Sequence, residues 1–339
     1  MTKQIQRLVD LGMCREATRG TAEDEADFWI PKIDFDFIPK ADVAVDNSSL
    51  GIIDSRRDSA VVQKYGEGSL GGIVYDESFG LLLALALGAC SSSVVSDEAY
   101  THTFTRANTN AHYAATLFVK DENLDEKYAL GMLNQLTINA VVDDYIKFTA
   151  GFISKKGAST SSTPAYSAEN AFLPKHMSVA LGGGGETALK SLRLTINKNV
   201  ETWPELGSDE PGDIVNKEFA VEGEMELVFD SATERDYVLD GTKKSIDIVL
   251  TNTDVTLGTG THPSLSFDIS SASFVDFSRS GGLGDVELQT IRFEGNFDLG
   301  TAKTISAILV NAHPAYVSYE ALALTDEITI AEAVETAES

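Results

Sequence analysis

A chain of 339 residues is long enough for two ordinary domains, each able to bury its own core. Its 43% hydrophobic content and mean hydropathy of −0.06 fit a folded globular protein and exclude a disordered one. With 52 acidic against 26 basic residues, the formal net charge of −26 argues against nucleic-acid or anionic-membrane binding by counterion release.

Residues 1–30 read as an N-terminal arm with no apolar run of signal-peptide length. Alternation then starts at "KIDFDFIP", which is expected to place Ile33, Phe35 and Phe37 on one face and Asp34 and Asp36 on the other. After a long loop comes the Glu-Gly strand "EGSLGGIVYD" (Glu67–Asp76). The apolar run "DESFGLLLALALG" (Asp76–Gly88) follows, a buried helix with an acidic N-cap candidate and a closing glycine. It is too short to span a bilayer. Strands are predicted at Tyr100–Arg106, Tyr113–Lys120 and Leu133–Val142, then at "IKFTAGF" (Ile146–Phe152), with a hairpin turn at "VVDDYIKF".

"KKGASTSSTPAYSAEN" (Lys155–Asn170) reads as an exposed loop or linker, and "LGGGGE" (Leu181–Glu186) as a second break. Beyond it the order of the first half returns. An alternating strand (Leu189–Asn197) leads to a second Glu-Gly strand, "EGEMELVFD" (Glu222–Asp230), and to a short helix at Ser231–Gly241. Strands follow at Lys244–Asn252 and Ser264–Ser270, then "IRFEGNF" (Ile291–Phe297) and Thr304–Asn311. Ile146, Phe148 and Phe152 are thus echoed by Ile291, Phe293 and Phe297, which argues for an internal duplication. The expected division is 31–156 and 189–320 as two β domains, 157–188 as linker and 321–339 as an acidic tail.

The chemistry of catalysis is hard to place on this chain. His102, His112, His176, His262 and His313 form no metal-binding spacing, and Cys14 and Cys90 read as ordinary thiols. "GGGG" lacks the Lys-Ser/Thr of a phosphate loop, "LGTGTHP" lacks a third glycine, and no GxSxG is present. Adjacent acids such as Asp143 and Asp144 on a strand would point to opposite faces, unlike a glycosidase pair. Asp-rich loops lack calcium-ligand spacing. The expectation is a protein with no enzymatic activity and no cofactor or metal.

The segments "GMCREATRGTAEDEADFWIP", "NSSLGIIDSRRD", "YGEGSLGGIVYDESFGLLLALALGA", "YTHTFT", "VELQTIRFEGNFD" and "TISAILVN" together resemble the tail tube, or major tail, proteins of long-tailed bacteriophages. That resemblance implies a mainly β fold of two tandem tail-tube-like β-sandwich domains, each with a short flanking helix. It also implies sheets joined edge to edge between subunits into a ring, with rings stacked through long loops into a hollow tube of the virion, made in the host cytoplasm. Tubes of contractile tails and of type VI secretion share this fold. Implied partners are the chain itself, a tape measure protein, a tail terminator and baseplate or tip proteins. Viral DNA would pass without specific binding, and no membrane is involved.

A duplicated chain is expected to close the ring as a pseudo-sixfold trimer, a hexamer being the alternative. Asp34, Asp36, Glu222, Glu224 and Glu226 are the patterned acids expected to face the lumen, although the same alternation would serve a solvent-facing sheet or a salt-adapted surface. A capsid decoration protein or a surface adhesin is the competing reading.

Overall fold

The computed structural model describes residues 5–96, 98–184 and 187–317. Runs of alternating apolar and polar residues form strands almost throughout. In the first half these are β1 (Asp10–Arg15), β2 (Phe28–Trp29), β3 (Lys32–Phe35), β4 (Ile38–Asp46) and β5 (Asp58–Ile73). Helix α1 (Ser78–Leu87) separates them from β6 (Gly88–Ser96), β7 (Ala99–Arg106), β8 (Ala115–Lys120), β9 (Asp125–Val141), β10 (Lys147–Lys155) and β11 (Gly157–Ser159). The second half holds β12 (Met177–Leu181), β13 (Leu189–Asn197), β14 (Val200–Pro204), β15 (Pro211–Asn216) and β16 (Ala220–Val228). Helix α2 (Thr233–Leu239) precedes β17 (Lys243–Thr251), β18 (Ser264–Ser280), β19 (Leu288–Gly295) and β20 (Ile305–Asn311).

The fold is mainly β, as the alternation predicts, and its ladders are antiparallel. One sheet runs β3/β4–β5–β10–β9–β13–β16–β19–β18, eight strands wide, with β3 and β4 both lying along β5. A second runs β12–β17–β18–β20–β7–β6. The strands β9 and β18 are long enough to serve two sheets each. The first part of β9 pairs with β8, which carries β1 and β2, while its second part joins β10 and β13. Likewise the start of β18 pairs with β17 and its end with β19.

The two large sheets pack face to face. Ile138, Leu192 and Leu194 of the first meet Ile248, Leu250 and Phe267 of the second around a small apolar cavity. Residues from both halves merge into one continuous core, so no break in packing marks a boundary between them. All ten residues of α1 are buried, which explains a helix that is apolar on every side.

Several local expectations need correction. Ile33 is exposed because a bulge between Lys32 and Asp34 slips the alternation, while Phe35 and Phe37 are buried as expected. Helix α1 ends on Gly88 at φ 83°, but its N-terminal acid is not local: Glu169 accepts the Ser78 N–H at 2.6 Å. Asp76 instead holds Asn170. Lys155–Asn170 includes β11 near its start and continues as a largely exposed loop, fastened to the fold by Ser162 to Asp125 and by Tyr166 to Asp10. The loop read after Phe37 is in fact a hairpin, β4–β5, with its tip at residues 47–57. The predicted acidic tail, residues 321–339, lies outside the described residues.

Candidate assembly face

Phe148 and Phe293, the echoed aromatics, occupy equivalent places. Phe148 stands opposite Gly72 and Phe293 opposite Gly223, and a Cβ on either glycine would meet the phenylalanine ring at 2.9 or 2.3 Å. Each glycine is there to admit a ring. Gly72, not Gly68, is thus the partner of Gly223, so the Glu-Gly pairs are not strictly equivalent. Ile146, Ile291 and Phe152 are buried beside them, but Phe297 is half exposed and lies past the end of β19. It flanks the Arg106 guanidinium instead.

The face of the eight-stranded sheet opposite this core carries the predicted acids. Residues paired across an antiparallel ladder share a face. One row can be followed across every strand: Asp34, Gly71, Thr149, Thr137, Thr195, Glu222, Glu294, Ser273. Val221, Met225 and Leu227 of β16 turn inward, which puts Glu222, Glu224 and Glu226 outward. Asp36 is exposed and accepts the Ser69 N–H. All five candidate acids lie on this one face. Over β9, β13, β16, β19 and β18 it holds a trough of about 400 Å³, lined by Gln135, Thr195, Glu222, Glu224, Arg292 and Glu294.

The face is mixed rather than purely acidic. Glu224 sits between Arg193 and Arg292 and binds Arg292 at 2.8 Å, an ion pair too exposed to add much stability. Glu222 and Glu294 are directly opposed like charges, which costs stability. In the second half Glu222, Glu224, Glu226, Asp276 and Glu294 outnumber Arg193 and Arg292. In the first half Asp34, Asp36, Asp42 and Glu67 stand against Lys40, Lys147 and Lys155, with Lys40 bound to Glu67 at 2.6 Å. Single-strand alternation finds acids on their own strand but cannot bring in arginines from the neighbouring ones.

Both ends of this sheet are open edges among the described residues. β3 and β4 pair only with β5, and residues 274–280 of β18 pair only with β19, whereas Ala272 and Ser273 are also held by Lys244 and Lys243 of β17. The β4–β5 hairpin projects with Val43, Val45, Leu50, Ile52, Ile53 and Val61 exposed. Unpaired edges and bared apolar side chains are liabilities unless another chain covers them.

Among the described residues no group of three His, Cys, Asp or Glu could hold a metal. His102 is fully buried between Ser92 and Asn311, and burial pushes the Cys14 thiol up to about 12 and that of Cys90 to about 11, far from a reactive thiolate. No described helix is long and apolar enough to cross a membrane. No curated protein matches the chain. A family model described as phage tail tube protein matches residues 6–302, nearly the whole sequence. The mainly β chain with its open-edged sheet belongs to the phage tail tube protein family and is a structural component of the virion tail.

Proposed function

We propose that this chain assembles with copies of itself into rings that stack into the tail tube, and that the acid-bearing face of the eight-stranded sheet lines the lumen. The observation that carries this reading is a charged sheet face that holds a trough and ends on two edges unpaired among the described residues, β3/β4 and residues 274–280 of β18. Such a sheet completes its hydrogen bonding only by closing with others into a barrel. The excess of Glu and Asp on the face repels phosphate along the channel, and Arg193 and Arg292 bound into that surface limit the repulsion locally. DNA would therefore slide without being held.

Three chains per ring follow from two comparable halves per chain, giving pseudo-sixfold symmetry. The division into units at 31–156 and 189–320 belongs to the same reading. Stacking of rings falls to the projecting β4–β5 hairpin, and the tube ends would meet a tape measure protein, a terminator and tip proteins. The role is mechanical and non-enzymatic.

Electron microscopy of the purified full chain in negative stain tests the reading. Hollow tubes or stacked rings are the expected result. A monodisperse monomer at every concentration and salt level would overturn it.

A further inference from the structure

A cavity of about 270 Å³, sharing no residue with the trough, lies between the β7–β8 loop of the first half and the link from β15 to β16 in the second. We infer that it is a binding site for inorganic phosphate in a form that still carries a proton. This inference does not depend on the tube reading.

The chain holds 52 acids against 26 bases, yet no carboxylate lines this cavity. Arg106 and Lys217 line it, and Lys198 and Arg19 stand close enough for their charges to act on His112, a lining residue only 2% exposed. Glu201 pairs with Lys217 at 2.7 Å and Asp213 pairs with Arg19. Arg106 and Lys198 have no carboxylate partner among the described residues. The Arg106 guanidinium lies over the Phe219 and Phe297 rings, 5.9 and 5.7 Å from their centres. Its one hydrogen bond among the described residues, Nη1 to Asn108 Oδ1 at 3.2 Å, leaves its other N–H groups for an anion.

Charge alone would admit any anion, and the neutral groups narrow the choice. His112 Nε2 lies 2.9 Å from the Ala107 carbonyl, so it carries the ring proton and Nδ1 is a bare acceptor. Burial and the Lys198, Arg106 and Arg19 charges hold His112 down at about 4, which keeps Nδ1 unprotonated at neutral pH. Gly88, at φ 83°, fits against this imidazole, where a Cβ would meet Cγ at 2.6 Å. Asn216 gives its Nδ2 to the Thr109 carbonyl at 3.1 Å, which leaves Oδ1. Both acceptors, His112 Nδ1 and Asn216 Oδ1, are buried with no hydrogen-bond partner, and orphans of this kind are costly. The ligand that suits this lining is negative and yet donates a hydrogen bond. Protonated phosphate does both. Sulfate, chloride and an ionised carboxylate satisfy the cations but have no proton for Nδ1 or Oδ1. A phosphate held here would tie the β7–β8 loop to the second half and stabilise the fold by mass action.

Isothermal titration of the full-length chain with inorganic phosphate, at pH 7 and constant ionic strength, tests this. Saturable binding of about one ion per chain is expected, with sulfate weaker by about tenfold or more. Arg106→Met, which keeps an apolar stem between Phe219 and Phe297, should weaken phosphate by about tenfold or more, whereas Lys175→Met, at an ion pair with Asp254, should not. Should Arg106→Met fail to fold, the comparison of phosphate with sulfate on the unmodified chain still decides. Absence of saturable binding at millimolar phosphate, equal affinity for sulfate, or binding unaltered by Arg106→Met would each overturn the assignment.

Discussion

At the residue scale the most consequential side chain outside the assembly face is Lys198. It is almost fully buried, and its ammonium donates to the Leu85 carbonyl at 2.7 Å. That carbonyl is among the last four of α1, which have no partner within the helix, so a cation there also meets the negative end of the helix dipole. Burial, aided by the charge of Arg19, pulls Lys198 from 10.5 down to about 7. Between those values the unfolded chain holds a proton that the folded chain lacks, so stability rises with pH from about 7 to about 10.5. His112, held down at about 4 by burial and by the Lys198, Arg106 and Arg19 charges, adds a loss of stability as pH falls from 6.5 to 4. Each limb has a limiting slope of about 1.4 kcal/mol per pH unit. Lys198→Met should flatten the alkaline limb and, by removing one of the charges that hold His112 down, narrow the acid limb without abolishing it, since burial remains. Urea midpoints of both proteins between pH 4 and 10 would check this, and a parallel alkaline rise in the variant would rule Lys198 out as its source.

At the scale of elements, local pattern and long-range pairing contribute very differently. The strands at Leu189–Asn197 and Tyr100–Arg106, and the glycine stop of α1, are legible because period-two alternation and a left-handed cap are properties of neighbouring residues. The bulge at Ile33, the capping of α1 by Glu169 and the Arg193–Glu224–Arg292 row depend on partners far along the chain, and nothing local encodes them. The β6–β7 hairpin shows the same limit: its alternation predicts a strand but not that β7 will pair with β20. The five candidate acids are readable as alternation on their own strands, whereas the face they share emerges only from seven registers together. The β4–β5 hairpin gives this scale its test. Ile52 and Ile53 at its tip are bare in the single chain, so Ile52→Ser/Ile53→Ser should change monomer stability by no more than about 0.5 kcal/mol. If the tip joins rings, the variant accumulates single rings and short tubes under the electron microscope. Tubes of unchanged length would assign stacking to another surface.

At the scale of the whole molecule, the width of the sheet decides how many chains close a ring. In the proposed tube each copy, with its eight-stranded sheet, would supply eight strands to the wall, and strands lie about 4.8 Å apart. Three copies give twenty-four strands and a circumference of about 115 Å, hence a backbone diameter of about 37 Å before strand tilt widens it. Removing about 10 Å for the inward side chains leaves a bore of about 27 Å, which admits one DNA duplex closely. Six copies would double the strand number and open a bore of about 63 Å, in which acidic side chains would stand beyond the Debye length of about 8 Å from a central duplex and lose their hold on its position. The proposed repulsive wall would therefore act on DNA only in the narrower ring. Images of isolated rings down the axis, together with their native mass, should give three chains of 36.4 kDa with six similar lobes. Six full-length chains per ring would reject the trimer and with it the argument that the two halves of this chain stand in for two subunits.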